Sequence, residues 1–187
     1  SAGGVAVSDN FNRANGGLGA NWTTITGFSG LSITTNKVVG GANSGARWSA
    51  DTFANDQYAT LKIKSDLYVR IRAVGTTLYL DTSPDGTNWT NRDTVTSESS
   101  IASGSAGLAL RVIDVGYVGP AVRISSSATT FYYVVFPTVD YGEGWLGYCL
   151  RLSKTVVGTN TLLGTAWEYN QGDSIPWAAE GDDWTGG

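Results

Sequence analysis

Apolar and polar residues alternate with a period of two along much of this chain, and that pattern belongs to half-buried strands. Residues 58–63 read Tyr-Ala-Thr-Leu-Lys-Ile, so Ala59, Leu61 and Ile63 share one side and Tyr58, Thr60 and Lys62 the other. Residues 67–73 repeat it, with Leu67, Val69, Ile71 and Ala73 opposite Tyr68, Arg70 and Arg72. No window carries apolar residues at i, i+3, i+4 and i+7 for long enough to make a helix. Further strands are expected at 77–82, 89–96, 106–112, 119–126, 131–136, 146–152 and 161–167. Proline followed by Asp-Gly in Ser83-Pro84-Asp85-Gly86-Thr87 bends the chain tightly, which makes 89–96 the hairpin partner of 77–82. The run Phe131-Tyr132-Tyr133-Val134-Val135-Phe136 has no polar face and belongs in the middle of a sheet. Glycine-rich stretches at 27–30, 40–45, 97–104 and 142–144 read as loops. Many short strands separated by turns specify an all-β fold, a single-domain β-sandwich of two antiparallel sheets over residues 1–187. Residues 1–4 and 185–187 are expected to be mobile.

What the chain lacks narrows its chemistry. It has no histidine. A Ser-His-Asp triad, a Cys-His dyad, a His-ligated zinc and a His general base are therefore excluded. The one cysteine, Cys149, has no partner for an intrachain disulfide and reads as a small buried apolar residue of the 146–152 strand. A net charge of −4 and a pI near 4.7 speak against nucleic acid, which calls for a basic stripe. No run of 18 apolar residues occurs, so no membrane insertion is expected, and no basic-then-apolar leader opens the chain. Asn21-Trp22-Thr23 and Asn88-Trp89-Thr90 are the same tripeptide, but their flanks differ, so they are not a repeat. Both are formal N-glycosylation acceptors, which matter only in a eukaryotic secretory pathway.

The opening, Ser8-Asp9-Asn10-Phe11-Asn12-Arg13-Ala14-Asn15-Gly16-Gly17-Leu18-Gly19-Ala20-Asn21-Trp22, resembles the D-x-F-N-R-x-x-G-x-L-G-x-x-W start of concanavalin A-like lectin/glucanase (laminin-G-like) domains. Such domains occur in bacterial secreted proteins and phage proteins. Ala46-Arg47-Trp48, Asn55-Asp56-Gln57-Tyr58, residues 78–90, residues 117–123 and Asp182-Asp183-Trp184 are similar to later pieces of the same group. The resemblance implies a jelly roll. It also implies an exchange of order, because a segment like 115–167 normally precedes one like 67–110.

Glucanases of the resembled group carry an E-x-D-x-x-E strand, which sets one carboxylate as acid and another as nucleophile. Here the glutamates are Glu98, Glu143, Glu168 and Glu180, and Glu180-Gly181-Asp182 has no second glutamate after it. No catalytic residue is assigned and no enzymatic activity is expected. For calcium, Asp9, Asn12 and Asp183 stand near opposite ends of the chain, and in jelly rolls the first and last strands are often neighbours. The competing reading is that Asp9 and Asp183 cap loops or pair with Arg13.

Of the seven tryptophans, Trp22 and Trp48 suit the core or a sheet edge. Trp145, beside glycines, and Trp177, after Pro176, suit an exposed sugar platform, with Tyr141 and Glu143 beside Trp145. Arg70 and Arg72 share a strand face with Tyr68. They either pair with acids on neighbouring outward faces or line a shallow anionic-glycan groove.

These readings converge on a non-catalytic, surface-displayed recognition or adhesion module that binds polysaccharide or a cell-surface glycan, at an extracellular or virion surface. The alternative is a virion structural protein, a capsid decoration, spike or fibre, whose sandwich packs against other subunits.

Overall fold

The computed structural model describes residues 4–111, 118–140, 146–168 and 182–187, without the side chains of 138–140 and 146–148. Its strands are β1 (Val7–Asp9), β2 (Gly16–Gly17), β3 (Trp22–Thr24), β4 (Ser32–Thr34), β5 (Lys37–Val39) and β6 (Ser44–Trp48). There follow β7 (Gln57–Lys64), β8 (Leu67–Val74), β9 (Thr77–Ser83), β10 (Thr90–Val95), β11 (Ser105–Leu110) and β12 (Gly119–Ile124). The last six are β13 (Phe131–Val135), β14 (Thr138–Asp140), β15 (Leu146–Val156), β16 (Thr159–Leu162), β17 (Trp167–Glu168) and β18 (Asp182–Gly186). No helix occurs among the described residues.

Two antiparallel sheets pack face to face. One runs β1-β18-β7-β8-β9-β10 and the other β14-β15-β13-β12-β11-β6-β3, with β16 and β17 also paired to β15. A small sheet β2-β4-β5 stands beside them. The alternation seen in the sequence decides which side faces in. Leu61, Ile63, Val69, Ile71 and Leu80 of the first sheet meet Leu108, Val122, Tyr132, Val134 and Leu152 of the second in one apolar core. Complete burial of a side chain of this size contributes about 1.5–3 kcal/mol, which is why the pattern sets the register.

The 131–136 run is central, as its composition demands. Tyr132 and Val134 face the main core, while Phe131, Tyr133 and Val135 enter a second cluster with Ile25, Ala121 and Ile124. Phe28 packs edge-on against Phe131 and covers that side.

Three expectations are corrected. The chain end at 185–187 is not loose: Thr185 and Gly186 pair with Ser8 and Val7 on one side and with Thr60 and Ala59 on the other. Gly187 exchanges backbone hydrogen bonds with Tyr58. The 40–45 loop stops early, because Ser44 and Gly45 begin β6. A Cβ on Gly45 would stand 2.5 Å from Ile25 Cδ1 and 3.0 Å from Leu108 O, so only glycine allows that approach. The 161–167 strand divides into β16 and β17: Leu163 N still donates to Leu152 O of β15, and the chain then turns to the β10 edge, where Thr165 N donates to Asp93 Oδ2 at 3.0 Å.

Candidate functional site: the outer face of the six-stranded sheet

The outward side chains of β7, β8, β9 and β10 form one continuous layer. Register sets Tyr58 beside Arg72, Thr60 beside Arg70 and Lys62 beside Tyr68. It then sets Arg72 beside Tyr79, Arg70 beside Asp81 and Tyr68 beside Ser83. On β10, Asn91 lies opposite Asp81 and Thr94 opposite Tyr79. Same-face neighbours of this kind are the contacts that sheets stabilise.

Asp81 is the centre of this layer and its side chain is 2% exposed. Its Oδ2 accepts Arg70 Nε at 3.0 Å and Arg72 Nε at 2.6 Å. Its Oδ1 accepts Asn91 Nδ2 at 3.1 Å and, more weakly, Arg72 Nη2 at 3.3 Å. Burial opposes the charge on Asp81. The bonds from Arg72 and Asn91, the charge of Arg72 and the bond from Arg70 overcome it and hold the carboxyl below its ordinary value.

Both guanidiniums lie against rings. Arg70 Cζ is 4.1 Å from the centre of the Trp89 ring, and Arg72 Cζ is 4.2 Å from that of Tyr79. Each contact of this type contributes about 0.5–1 kcal/mol at an exposed site. The turn before Trp89 is built to hold it there. Ser83 Oγ accepts Gly86 N at 2.9 Å, and Asp85 Oδ1 accepts Thr87 N at 2.9 Å and Asn88 N at 2.8 Å. Those two backbone donors lead the causes that keep Asp85 ionised well below the usual range. Gly86 has φ +80, and a Cβ on it would come within 3.2 Å of the Tyr68 ring.

At one end of the layer, Arg72 also borders a cleft of about 330 Å³ with Val5, Ala6, Asp56, Tyr58, Val74 and Gly187. At the β10 edge a bulge between Asn91 and Asp93 turns Arg92 toward the other sheet. Arg92 Nε donates to Thr82 Oγ1 at 2.8 Å, and its Cζ lies 4.4 Å from the Trp167 ring centre.

The other residues singled out in the sequence lie elsewhere. Tyr141, Glu143, Trp145 and Trp177 fall outside the described residues, as does Glu180. Pairing of β1 with β18 brings Asp9 opposite Trp184 and so beside Asp183, around a cleft of about 410 Å³ that Ser8, Asn10 and Thr185 also line. Asn12 is not part of that lining; its backbone N–H donates to Asn10 Oδ1 at 3.0 Å. Asp9 is already engaged. It accepts Phe11 N at 2.8 Å, Trp22 Nε1 at 2.8 Å, and Arg13 Nη1 and Nη2 at 2.6 and 2.9 Å. A calcium ion there would have to displace Arg13. Among the described residues no three His, Cys, Asp or Glu side chains are grouped for a metal.

Trp22 and Trp48 are buried together with Trp184, Trp48 stacking on Trp184 at 5.6 Å between centres. Their indole N–H groups go to Asp9, Asp51 and Gly107 O. Glu98 is bound by Lys154 Nζ at 3.1 Å, by Tyr132 Oη at 3.0 Å and by the Ser100 hydroxyl. Arg123 of β12 is 3% exposed and spends its guanidinium on backbone carbonyls.

Sequence reasoning reached Arg70, Arg72 and Tyr68 but missed Tyr79, Asp81 and Trp89. A signal was available. Once the Pro84-Asp85-Gly86 turn fixes the hairpin and the Gly75 turn joins β8 to β9, parity puts Tyr79 and Asp81 on the arginine face. No family model, curated protein or solved structure matches this chain.

Proposed function

We propose that this chain is a non-catalytic recognition module, displayed at an extracellular or virion surface, that binds polysaccharide on the outer face of its six-stranded sheet. The carrying observation is the layer itself: Tyr58, Tyr68, Tyr79 and Trp89, all half-buried, interleaved with Arg70, Arg72, Asn91 and Thr94 on a rigid sheet. Aromatic rings offer an apolar surface to sugar rings, and the side chains between them supply hydrogen bonds to hydroxyls. Sites on strands are held more firmly than sites on loops, which lowers the entropy cost of binding an extended polymer.

The resemblance of residues 8–22 to jelly-roll lectin domains supports the same reading. The two segments whose order is exchanged relative to those domains are compatible with it. Residues 67–95 run as the neighbouring strands β8, β9 and β10 of one sheet, and most of 119–162 runs as β12, β13, β15 and β16 of the other. Glu98 is tied to Lys154 and Tyr132, so it is poorly placed to serve as a general acid.

The test is affinity electrophoresis through gels containing single polysaccharides. Retardation of the wild type by at least one of them, lost in a Tyr79→Ala/Trp89→Ala double variant that melts somewhat lower but is still folded at the assay temperature, is the expected result. If no polysaccharide retards the protein, the polysaccharide reading fails and the face serves packing against other subunits.

A further inference from the structure

We infer that the bound polysaccharide is anionic, and that Arg70 and Arg72 read its carboxylate or sulfate groups. This rests on the polysaccharide reading above and adds the charge of the polymer to it.

The geometry of the Asp81 pair carries the inference. One arginine in a two-pronged fork is enough to neutralise a carboxylate, and Arg72 already forks onto Asp81 through Nε and Nη2. Arg70 adds a second guanidinium to the same carboxylate through its Nε. Among the described residues, Arg70 donates only through Nε, and Arg72 adds to its Nε bond only Nη2, in a bond of 3.3 Å. Two positive charges meet one negative charge, so a positive charge remains at the Asp81 cluster; further along the layer, Lys62 stands opposite Asp182 of β18 and adds no net charge. The positive charge of the cluster remains in a chain whose net charge is −4.

The two guanidiniums are also pre-organised. Trp89 and Tyr79 hold their planes from one side and Asp81 holds Nε, yet the side chains stay 21% and 31% exposed. A planar, fixed, partly exposed guanidinium with open Nη donors is the arrangement that binds carboxylate and sulfate oxygens best. The cleft bordered by Arg72, Tyr58 and Val74 gives an apolar wall beside the charge, where the carbon face of a sugar ring can rest while its acid group reaches Arg72. Asp56 lines the same cleft and offsets part of the positive charge there.

The experiment compares polymers that differ only in charge: polygalacturonate against its methyl ester, and dextran sulfate against dextran. Wild-type protein is expected to bind at least one acidic form about tenfold or more tightly than its neutral match, and to lose that preference between about 50 and about 500 mM salt. The polygalacturonate and dextran sulfate arms separate carboxylate from sulfate recognition. Arg70→Lys and Arg72→Lys keep the charge but lose the planar fork and the ring contact, so each is expected to weaken binding about tenfold. Each also loosens the hold on Asp81 and lowers the melting temperature, so binding is compared at a temperature where every variant is folded. Equal binding of the acidic and neutral forms overturns the inference and leaves polysaccharide recognition standing. Lysine variants that bind like the wild type overturn it as well, because attraction is then only diffuse. Absence of binding to all four polymers, with retention on some other neutral glycan, overturns the charge assignment alone; absence of binding to every glycan overturns both readings.

Discussion

Trp22 Nε1 donates to Asp9 Oδ2 at 2.8 Å, linking residues 13 apart in the chain at the corner where the first strand meets the last. The same carboxylate takes Phe11 N and Arg13, and Arg13 in turn donates to Leu18 O. The opening stretch is thus one hydrogen-bonded knot that seats Trp22 against Trp184, with ring centres 4.7 Å apart.

Removing the centre of that knot should loosen it. Asp9→Ala leaves the Trp22 indole N–H and the Arg13 guanidinium without their acceptor. It is expected to cost about 1–3 kcal/mol in urea unfolding, with Asp9→Asn milder because one oxygen remains. A loss below about 0.5 kcal/mol for Asp9→Ala would mean that the knot does not hold the corner.

Trp184 is the ring on which both neighbouring tryptophans pack, and it is wholly buried. Trp184→Ala removes that packing and the bond to Gly107 O, at an expected cost of about 3–5 kcal/mol. The C-terminal strand would then detach from β7, so amide exchange at Thr60 and Tyr58 should speed up while β12 and β13 stay protected.

The parts of the fold that were legible in the sequence are those where alternation runs for six residues or more. Strands β7, β8 and β9 stand where their patterns put them, and the 131–136 run is central because nothing in it tolerates water. Strands of two or three residues such as β1, β2 and β4 show no period, so only their partners reveal them. Of the outer face, the arginines were visible through parity, and so was Tyr79 beside Arg72. Trp89 was not, because it reaches Arg70 only through the geometry of the turn before it. Arg123 defeated parity altogether. At φ 51 it leaves the strand conformation, so its side chain turns inward where alternation pointed it out.

Acid should weaken the fold through Asp81. Its folded carboxyl lies below the unfolded value of about 3.9, so it contributes stability that is complete above that value. That contribution is lost as pH falls from about 4 through the lower folded value. Melting temperatures measured downward from neutral pH should drop over this range in the wild type. Asp81→Asn, which cannot titrate there, should start lower and fall less steeply. Parallel curves would show that Asp81 gains nothing from its two arginines.

Arg123 should be the least replaceable charged residue of the described chain. Its Nε donates to Asn55 O at 2.9 Å, Nη1 to Ile101 O at 2.9 Å and Nη2 to Gly75 O at 2.8 Å. Its own N–H donates at 2.7 Å to Gln57 Oε1, and Gln57 Nε2 reaches on to Ala54 O and Gly104 O. One guanidinium therefore closes three connections that start in different strands and meet at one end of the sandwich. The nearest carboxylate, Asp56, is 4.0 Å away and 64% exposed, so carbonyl dipoles rather than an ion pair solvate the buried charge. Lysine has one donor group where arginine has a planar fork, and it cannot reach three divergent carbonyls. Arg123→Lys is expected to cost about 2–4 kcal/mol, since each carbonyl left unpaired costs about 1–3 kcal/mol and water recovers part of it. Arg123→Met, which fits the space without any donor, should cost at least as much, and Asp56→Asn should change stability by less than about 0.5 kcal/mol. Urea unfolding of the three variants decides it: a large loss for Asp56→Asn with a small one for Arg123→Met would show that the ion pair, not the carbonyl cage, holds this end of the fold together.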